Sequence, residues 1–506
     1  MNLAYDTDVA HSTISPFVKV ARIPELLNLV LEHLPKRALV KLAATCHLLF
    51  EPSVAMLWST GGNDLLRAMV DLLPSDVVMH GGEGSIRRPG ERFGCPTKHE
   101  LRRIHLYGRF VRDLQLFYSV EWHVLDSLRM PHHFSLESPI LPNLRSLRIT
   151  YGSDNILLAQ ILLCPSVCHL YLTGCADVRD DPPAMPVLAL LERLPERCPN
   201  LETFVIDWNG YWTDAENASI AQALRHLPRL HTVDIEYAAF TDSIVESLLE
   251  LPCLRRGKMD EFSFREDAPS KASVHQAIGS KSFDALKNLD CYCSLAICSV
   301  ISSHCPVLEH LALNSETLPS LDEVAQFAET LRSRGQLRSL SMHMQPFFAS
   351  EVWECLKPLS ALPIQSFTLL CCWERSAALY NDQAFRLFSS WNDLKSLDVT
   401  LPSSKEGRTP DLSTLTFLFE HCPKLLQLNL TDVWDGSSSE QSWDACRSKL
   451  TKITVCKPHI SISRFAKFLS VVCPDVHVLG FTDADQINEY LKIVQCALAA
   501  EKRRRT

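Results

Sequence analysis

Residues 421–430 read HCPKLLQLNL, and residues 304–313 read HCPVLEHLAL. In each stretch a Cys-Pro pair precedes an apolar residue, Leu425 or Leu308, which we count as position zero. Further apolar residues follow at positions plus three and plus five. Because side chains alternate along a β-strand, these two residues share one face. Proline cannot continue a helix, so the phrase predicts a helix that ends near Cys-Pro and a strand that follows it.

The same template recurs along the chain. From Leu144 onward, successive zero positions lie mostly 22 to 34 residues apart, which leaves room for one strand, one helix and two turns. Self-similarity at such a period is typical of leucine-rich repeats, whose units must stack to bury their apolar faces. The sequence therefore predicts an α/β fold, a leucine-rich-repeat solenoid of about 13 repeats with a parallel sheet on the concave side and helices outside. The matches, written as positions zero, three and five, are Val111/Leu114/Leu116, Leu144/Leu147/Ile149, Val167/Leu170/Leu172, Leu201/Phe204/Ile206, Leu230/Val233/Ile235, Leu286/Leu289/Cys291, Leu308/Leu311/Leu313, Leu337/Leu340/Met342, Ile364/Phe367/Leu369, Leu394/Leu397/Val399, Leu425/Leu428/Leu430, Leu450/Ile453/Val455 and Val476/Leu479/Phe481.

One stretch departs from the template. Leu254 follows a Leu-Pro pair, but no proper strand is expected after it. Residues 255–282 are therefore interpreted as an insertion that interrupts the array where a repeat is missing. A substrate-gripping loop and a tolerated insertion both remain open as its role.

The nineteen cysteines are interpreted mainly as core residues. Five Cys-Pro corners alternate with Leu-Pro corners, and alternation with leucine favours burial over chemistry. Zinc sites need close cysteine pairs, and neither Cys291-Tyr-Cys293 nor Cys371-Cys372 has that spacing. Metal or redox chemistry is the alternative, and we expect no metal and no cofactor. Without a visible secretory signal, the thiols predict a reducing, cytoplasmic and/or nuclear location.

Composition and the positions of glycine, proline and charged residues predict the domain organisation. The net charge of -9 argues against a nucleic-acid partner, and the absence of a long apolar run argues against a membrane. We predict a flexible N-terminus (1–20), a helical domain (21–60), a connecting segment with a loose glycine-rich and charged linker (61–104), the repeats (105–484), and a capping helix with a basic tail (485–506). The sequence has no nucleophile elbow, no HExxH, no Walker lysine motif and no paired His/Asp set at catalytic spacing, so no catalytic residue is expected and we do not expect an enzyme.

The stretch IPELLNLVLEHLPKRALVKLAATCHLLFEPSVAMLW, residues 23–58, differs from the repeats. Prolines and leucines predict three short helices with more apolar surface than so small a domain can bury, so it should dock on a partner. The stretch resembles an F-box in five features, with Leu48-Leu49 where that family has Arg-Trp. The matching features are the Ile23-Pro24 opening, the helix end from Leu31 to Pro35, the second helix with Leu39, Leu42 and Ala43, the Thr45-Cys46 pair and the late Trp58.

Together with the repeats, the chain resembles fungal-type F-box/leucine-rich-repeat proteins. The resemblance implies a substrate receptor of a Skp1–cullin–F-box ubiquitin ligase, in which the small all-α F-box binds Skp1, and through it cullin, while the repeats hold a protein substrate for ubiquitination. A repeat scaffold without a ligase role and a small-molecule sensor are the alternatives for the chain, and a helical cap that covers the first repeat is the alternative for residues 23–58. The residues implied in Skp1 binding are Ile23, Pro24, Leu27, Leu31, Leu34, Pro35 and Leu39.

The substrate is expected on the concave face, at template positions two, four and six. Acidic residues lie on consecutive recognised strands there, without a basic residue at the same positions, and aromatic residues lie nearby. Such a strip predicts a partner with a basic segment, whereas ordinary solvation of an open sheet face is the alternative. The candidate substrate-binding residues are Tyr171, Asp207, Asp234, Glu236, Asp290 and Tyr292.

Overall fold

The structure is a computed structural model in which the chain forms two compact units, residues 1–205 and residues 206–506. The residues it describes are 23–73, 101–117, 139–151, 153–174, 184–207, 213–236, 241–260, 271–315, 317–344, 352–371, 382–400, 411–434, 448–479, 487–489 and 491–496.

The first unit begins with helices and continues with alternating strands and helices. Strands β1 to β4 pair in parallel, in the order of the chain. Its helices are α1 (Pro24–Glu32), α2 (Lys36–Ala43), α3 (His47–Trp58), α4 (Asn63–Val70), α5 (Leu101–Gly108), α6 (Ser153–Leu162) and α7 (Ala184–Arg197). Its strands are β1 (Thr60–Gly61), β2 (Asp113–Leu116), β3 (Ser146–Tyr151) and β4 (His169–Gly174), and β5 (Thr203–Asp207) contains the boundary between the units.

Helices α1 to α3 form a helical module, residues 23–58, with its own small core. The core consists of Leu27, Leu31, Leu39 and Leu49, against which Leu34, Leu42, Met56 and Leu57 pack. Proline suits the first turn of a helix, where its missing N–H has no partner to lose, and Pro24 takes that place in α1. Trp58, at the end of α3, stacks on Tyr107 at a centroid distance of 4.9 Å. The module is thereby joined to the first repeats.

The second unit contains ten further strands, β6 to β15, among the described residues. Each pairs in parallel with the next along the chain. The strands are Thr232–Glu236, Arg256–Asp260, Asn288–Tyr292, His310–Ser315, Ser339–Met344, Ser366–Cys371, Ser396–Thr400, Gln427–Trp434, Lys452–His459 and His477–Leu479. The helices, α8 to α16, are Asp214–Arg225, Asp242–Leu249, Lys271–Ile278, Leu295–Ser303, Leu321–Arg332, Val352–Leu356, Asp382–Ser389, Leu412–His421 and Ile462–Val472, and a 3₁₀ turn spans Lys357–Ala361.

The register of these strands aligns the template. Leu397 pairs with Leu428, and Leu428 pairs with Ile453, so that plus-three residues stack in one buried row. Such rows are nearly inaccessible to solvent throughout the array. Because neighbouring repeats cover one another's apolar faces, the fold is the predicted leucine-rich-repeat solenoid.

Local sequence signals set the helix boundaries. At the start of α8, Thr213 Oγ1 accepts from the Glu216 N–H and Glu216 Oε2 accepts from the Thr213 N–H, at 3.3 and 2.6 Å. This reciprocal capping box satisfies two donors that the helix itself leaves unpaired. At the other end, α15 stops at His421, and the buried Cys422 donates its thiol hydrogen to the Phe388 carbonyl oxygen at 3.4 Å. The corner role predicted for Cys-Pro is confirmed here.

The predicted insertion at 255–282 is wrong for the residues that the structure describes. Strand β7 (Arg256–Asp260) and helix α10 (Lys271–Ile278) form an ordinary repeat, with Leu254 at position zero. Including it divides the long interval from Leu230 to Leu286 into 24 and 32 residues. The repeat escaped recognition because Gly257 occupies the plus-three core position, where the template expects a large apolar side chain. Residues 261–270 lie outside the described residues.

The last strand is also shifted from its predicted register. Val478 pairs with Ile453 and is buried, whereas Leu479, predicted to face the core, is 41% exposed. The chain reaches its core position one residue early in this repeat. The side chain of Asn488 then covers the edge, because its amide accepts from the Val478 N–H at 3.0 Å and donates to the Val478 carbonyl at 2.8 Å. Side-chain amides can replace a missing neighbouring strand in this way.

Several sequence predictions concern parts of the chain that are only partly described. The N-terminus (1–20), the glycine-rich part of the linker (80–99) and the basic tail (502–505) lie outside the described residues. Of the closing helix, residues 487–489 and 491–496 are helical, with Ile487 and Leu491 buried. No helix in the described part of the chain is long and apolar enough to cross a membrane.

Candidate functional site

The helical module has an apolar stripe on its surface. Ile23, Leu26 and Val30 follow one another at helical spacings of three and four residues, so they lie along one side of α1. Their side chains are 44%, 43% and 47% exposed. Leu29 on the same helix and Val40 on α2 are exposed as well. A module with a filled leucine core therefore still presents large aliphatic side chains to solvent.

Three of the leucines that were predicted to bind Skp1 lie in the core of the module. Leu27, Leu31 and Leu39 are at most 4% exposed and form the core of the module. In the folded module their surfaces are therefore not accessible to a partner. Of the other predicted contacts, Ile23, Pro24 and Pro35 are exposed and Leu34 is half-buried. Both faces of α1 are apolar, so leucine content alone could not separate the core side from the solvent side.

Charged groups accompany the stripe. Lys36, Arg37 and Lys41 on α2 are exposed, as are Glu25 and Glu32 on α1. Exposed apolar side chains together with charged ones are the composition of a protein–protein contact surface.

A second candidate surface is the strand face of the second unit, opposite the buried rows. At the plus-four positions of β6, β7 and β8 lie Asp234, Lys258 and Asp290, which are direct neighbours in register. Lys258 Nζ lies 3.9 Å from Asp234 Oδ1, and both side chains are about one-quarter exposed. Charge therefore alternates across these strands, with a lysine between two carboxylates.

The carboxyls on this strand face have raised pKa values because they are partly buried. Burial raises the pKa of Asp234 and of Asp290, and Lys258 opposes the rise in both. The pKa of Asp207 is raised by the same cause and opposed by the same lysine. Further along, burial also raises the pKa of Asp398, against hydrogen bonds from Asn429 and Thr400. Lys258 thus serves as the shared counter-ion of three carboxyls.

The uninterrupted acidic strip predicted from the sequence is therefore wrong. Its premise was that no basic residue shares the template positions, and Lys258 on the overlooked strand β7 does so. Arg256, two residues earlier on β7, is exposed and also opposes the rise in the pKa of Asp234 and Asp290. Tyr292 is half-buried on β8, and the side chain of Glu236 lies outside the described residues. Trp208 and Tyr237, which follow Asp207 and Glu236 in the sequence, lie outside the described residues.

The strand face of the first unit carries Tyr171, the remaining predicted contact. Tyr171 on β4 pairs in register with Arg148 on β3, whose guanidinium lies over the tyrosine ring at 4.6 Å from its centroid. This cation–π contact covers one face of the ring. Nearby, a His169 ring nitrogen lies 3.1 Å from the Thr203 hydroxyl. The tyrosine is thus held in place, and Arg148 is the more exposed of the two.

Comparisons with known proteins give only distant likenesses. No protein-family model matches the chain, and no curated protein does. Among solved structures, the crystal structure of the Rad7 and Elc1 complex in yeast is similar over 89% of this chain and 98% of the matched chain, with 14% identity and a TM-score of 0.40. The TLR13–ssRNA13 complex is similar over 73% of this chain and 64% of that one, with 13% identity and a TM-score of 0.29. Neither likeness bears on the partners of this chain.

Proposed function

We propose that this chain is the substrate-recognition subunit of a Skp1–cullin–F-box ubiquitin ligase, with the helical module as its F-box and the repeats as its substrate-binding part. The observation that supports it most is the exposed stripe of Ile23, Leu26 and Val30 on a module whose own core is complete. Exposed aliphatic side chains in such a row are costly in water and are stabilised by docking. The proposal assigns binding to this chain and no covalent chemistry.

The stripe and the strand faces are separate surfaces in this proposal. Skp1 would cover the stripe, and through Skp1 the chain would reach cullin. A protein substrate would be held by the polar strand faces, whose side chains are already ordered by contacts such as Lys258–Asp234 and Arg148–Tyr171. Pre-ordered side chains lose little entropy on binding, which favours affinity.

The test is the affinity of the purified full-length chain for Skp1, with the variant Leu26→Asp/Val30→Asp. Truncating or charging a residue at the centre of an interface costs about 2 kcal/mol or more, which corresponds to an affinity loss of about 30-fold for each position. Because Leu26 and Val30 are exposed, the module should stay folded, and circular dichroism checks this. Leu318→Asp, at an aliphatic side chain that is 56% exposed in the second unit, is the matched control.

We expect Skp1 binding by the wild type and by the control, and its loss in the double variant. A folded double variant with unchanged Skp1 affinity would remove the proposal. A wild-type chain that does not bind Skp1 would leave the coarser alternative, a leucine-rich-repeat scaffold that binds proteins without a ligase role.

A further inference from the structure

Three cysteine side chains meet in the core of the second unit. The sulfur atoms of Cys291, Cys293 and Cys298 all lie within 4.8 Å of one another, and the three residues are at most 5% exposed. Cys291 lies in β8, Cys293 follows the strand, and Cys298 lies in α11 (Leu295–Ser303). Ser294 caps that helix, with its hydroxyl accepting from the Ile297 N–H at 3.4 Å. The tight strand-to-helix turn at Ser294 brings residues 291 and 298 together.

These thiols differ from those at the Cys-Pro corners. Four corner cysteines each donate a thiol hydrogen to a backbone carbonyl oxygen, which accounts for their polarity inside the core. The corner bonds are Cys164 to Leu141 at 3.3 Å, Cys198 to Cys164 at 3.4 Å, Cys305 to Ile301 at 3.2 Å and Cys422 to Phe388 at 3.4 Å. In the cluster, by contrast, sulfur faces sulfur, and Cys298 Sγ lies 3.8 Å from the buried Ser302 hydroxyl.

The position of Cys291 is also unusual for the repeats. It occupies the plus-five core position, where the neighbouring strands carry Met259 and Leu313 in register. A thiol fills less space than those side chains, so it gives up dispersion contacts in the closely packed row. Packing alone therefore gives no reason to prefer cysteine at this place.

Three sulfur atoms at this spacing match a metal ion. With metal–sulfur bonds of about 2.3 Å, ligand sulfurs around one ion lie about 3.8–4.0 Å apart, so the observed spacing needs only small side-chain rotations. Within the described residues no fourth His, Cys, Asp or Glu joins the group. Thiolates select soft ions, Cu(I) and Zn²⁺ among the biological ones. The first residue of α11 follows Cys293 by two, so the positive end of the helix dipole favours thiolate charge there.

We propose that Cys291, Cys293 and Cys298 form a three-sulfur binding site for a soft d¹⁰ metal ion, Cu(I) or Zn²⁺. On binding, each coordinated thiol releases its proton to solvent as its sulfur–metal bond forms, and no electron is transferred. The ion supplies the positive charge that buried thiolates require, and it links β8 to α11. Since the metal binds the folded array, it stabilises that state against unfolding.

The experiment loads the full-length chain, purified without chelators, with one equivalent of Cu(I) or of Zn²⁺ under anaerobic reducing conditions. Metal is counted per chain after desalting, and the melting temperature is measured with and without it. We expect about one equivalent of one of the two ions, a raised melting temperature, and at least tenfold weaker binding in Cys298→Ala and in Cys293→Ala. Cys422→Ala, an equally buried corner cysteine, is the matched control and should retain the metal.

The separate Cu(I) and Zn²⁺ loadings identify the ion, because uptake of one and not the other shows which ion the site binds. If an alanine variant fails to fold, the wild type decides instead, because metal addition should release about one proton for each coordinated thiol. The proposal is overturned if the wild type takes up less than one-tenth of an equivalent of each ion. It is also overturned if a folded Cys298→Ala retains the metal. A disulfide within the cluster overturns it too, if the protein binds neither ion after that disulfide is reduced.

Discussion

Lys258 opposes the rise in pKa that burial causes in three strand-face carboxyls of the second unit. Ionised aspartates lose hydration where they are partly buried, and a cation at the neighbouring register position offsets part of that cost. Asp234, Asp290 and Asp207 all have raised pKa values that Lys258 opposes. Because the pKa is higher in the folded state, the native protein binds more protons than the unfolded chain at pH values above the ordinary aspartate pKa. The contribution of these groups to stability is therefore greatest at low pH and falls as the pH rises through their folded pKa values.

Replacing Lys258 should make this pH dependence steeper. In Lys258→Met the aspartate pKa values rise further, so the free energy of unfolding should fall by about 1–3 kcal/mol at pH 7, between the usual effects for exposed and buried ion pairs. The loss should shrink at pH 5, where the carboxyls take up protons. Urea unfolding at both pH values measures it. Lys287→Met, which removes an exposed partner of Glu309, is the control, and an equal loss at the two pH values in Lys258→Met would contradict the argument.

At the scale of elements, strand β7 shows how one residue can hide a repeat. Gly257 is buried at the plus-three position, with space for a Cβ, whose nearest neighbours would be Leu286 Cδ1 at 3.7 Å and Met259 Cε at 3.8 Å. Its backbone dihedral φ is not positive, so alanine fits without strain. Glycine in a strand interior lowers stability through its greater freedom in the unfolded chain.

We therefore expect Gly257→Ala to raise the free energy of unfolding by about 0.5–1 kcal/mol. Gly279→Ala is the matched control with the opposite sign, because Gly279 has φ of +57° and a side chain there is strained. Chemical denaturation of the two variants measures both effects. Destabilisation by Gly257→Ala would mean that the core around β7 is tighter than the structure shows.

The alternation along β13 gives a second test at this scale. Leu428 is buried in the plus-three row, whereas the adjacent Gln427 is exposed. Leu428→Ala should cost about 2–5 kcal/mol, because the cavity adds to the lost transfer energy. Gln427→Ala should change stability by no more than about 0.5 kcal/mol. Similar losses in the two variants, measured by urea unfolding, would contradict the register of this strand.

At the scale of the whole molecule, the period of the repeats could be predicted because it depends on many leucines at once. The template failed where one residue departs from it. Gly257 at a core position hid strand β7, and a turn one residue shorter before Val478 shifted the register of the last strand. The sequence predicted surplus apolar surface on the helical module, which corresponds to the exposed stripe. Because α1 is apolar on both sides, its core leucines were predicted to contact Skp1. The cysteine cluster could not be read from spacing, since the turn at Ser294 joins a strand residue to a helix residue.

The repeat architecture also predicts how far a destabilising substitution affects neighbouring repeats of the second unit. Among the described residues, strand β13 pairs with β12 and β14, so its stability depends directly on those neighbours and indirectly on more distant repeats. Leu428→Ala should therefore accelerate amide hydrogen exchange in β12, β13 and β14, with progressively smaller effects toward β8. Exchange in Gln427→Ala, followed by mass spectrometry under the same conditions, should match the wild type. If Leu428→Ala instead accelerates exchange equally from β6 to β15, the second unit opens as one cooperative body, and the nearest-neighbour description does not apply to it.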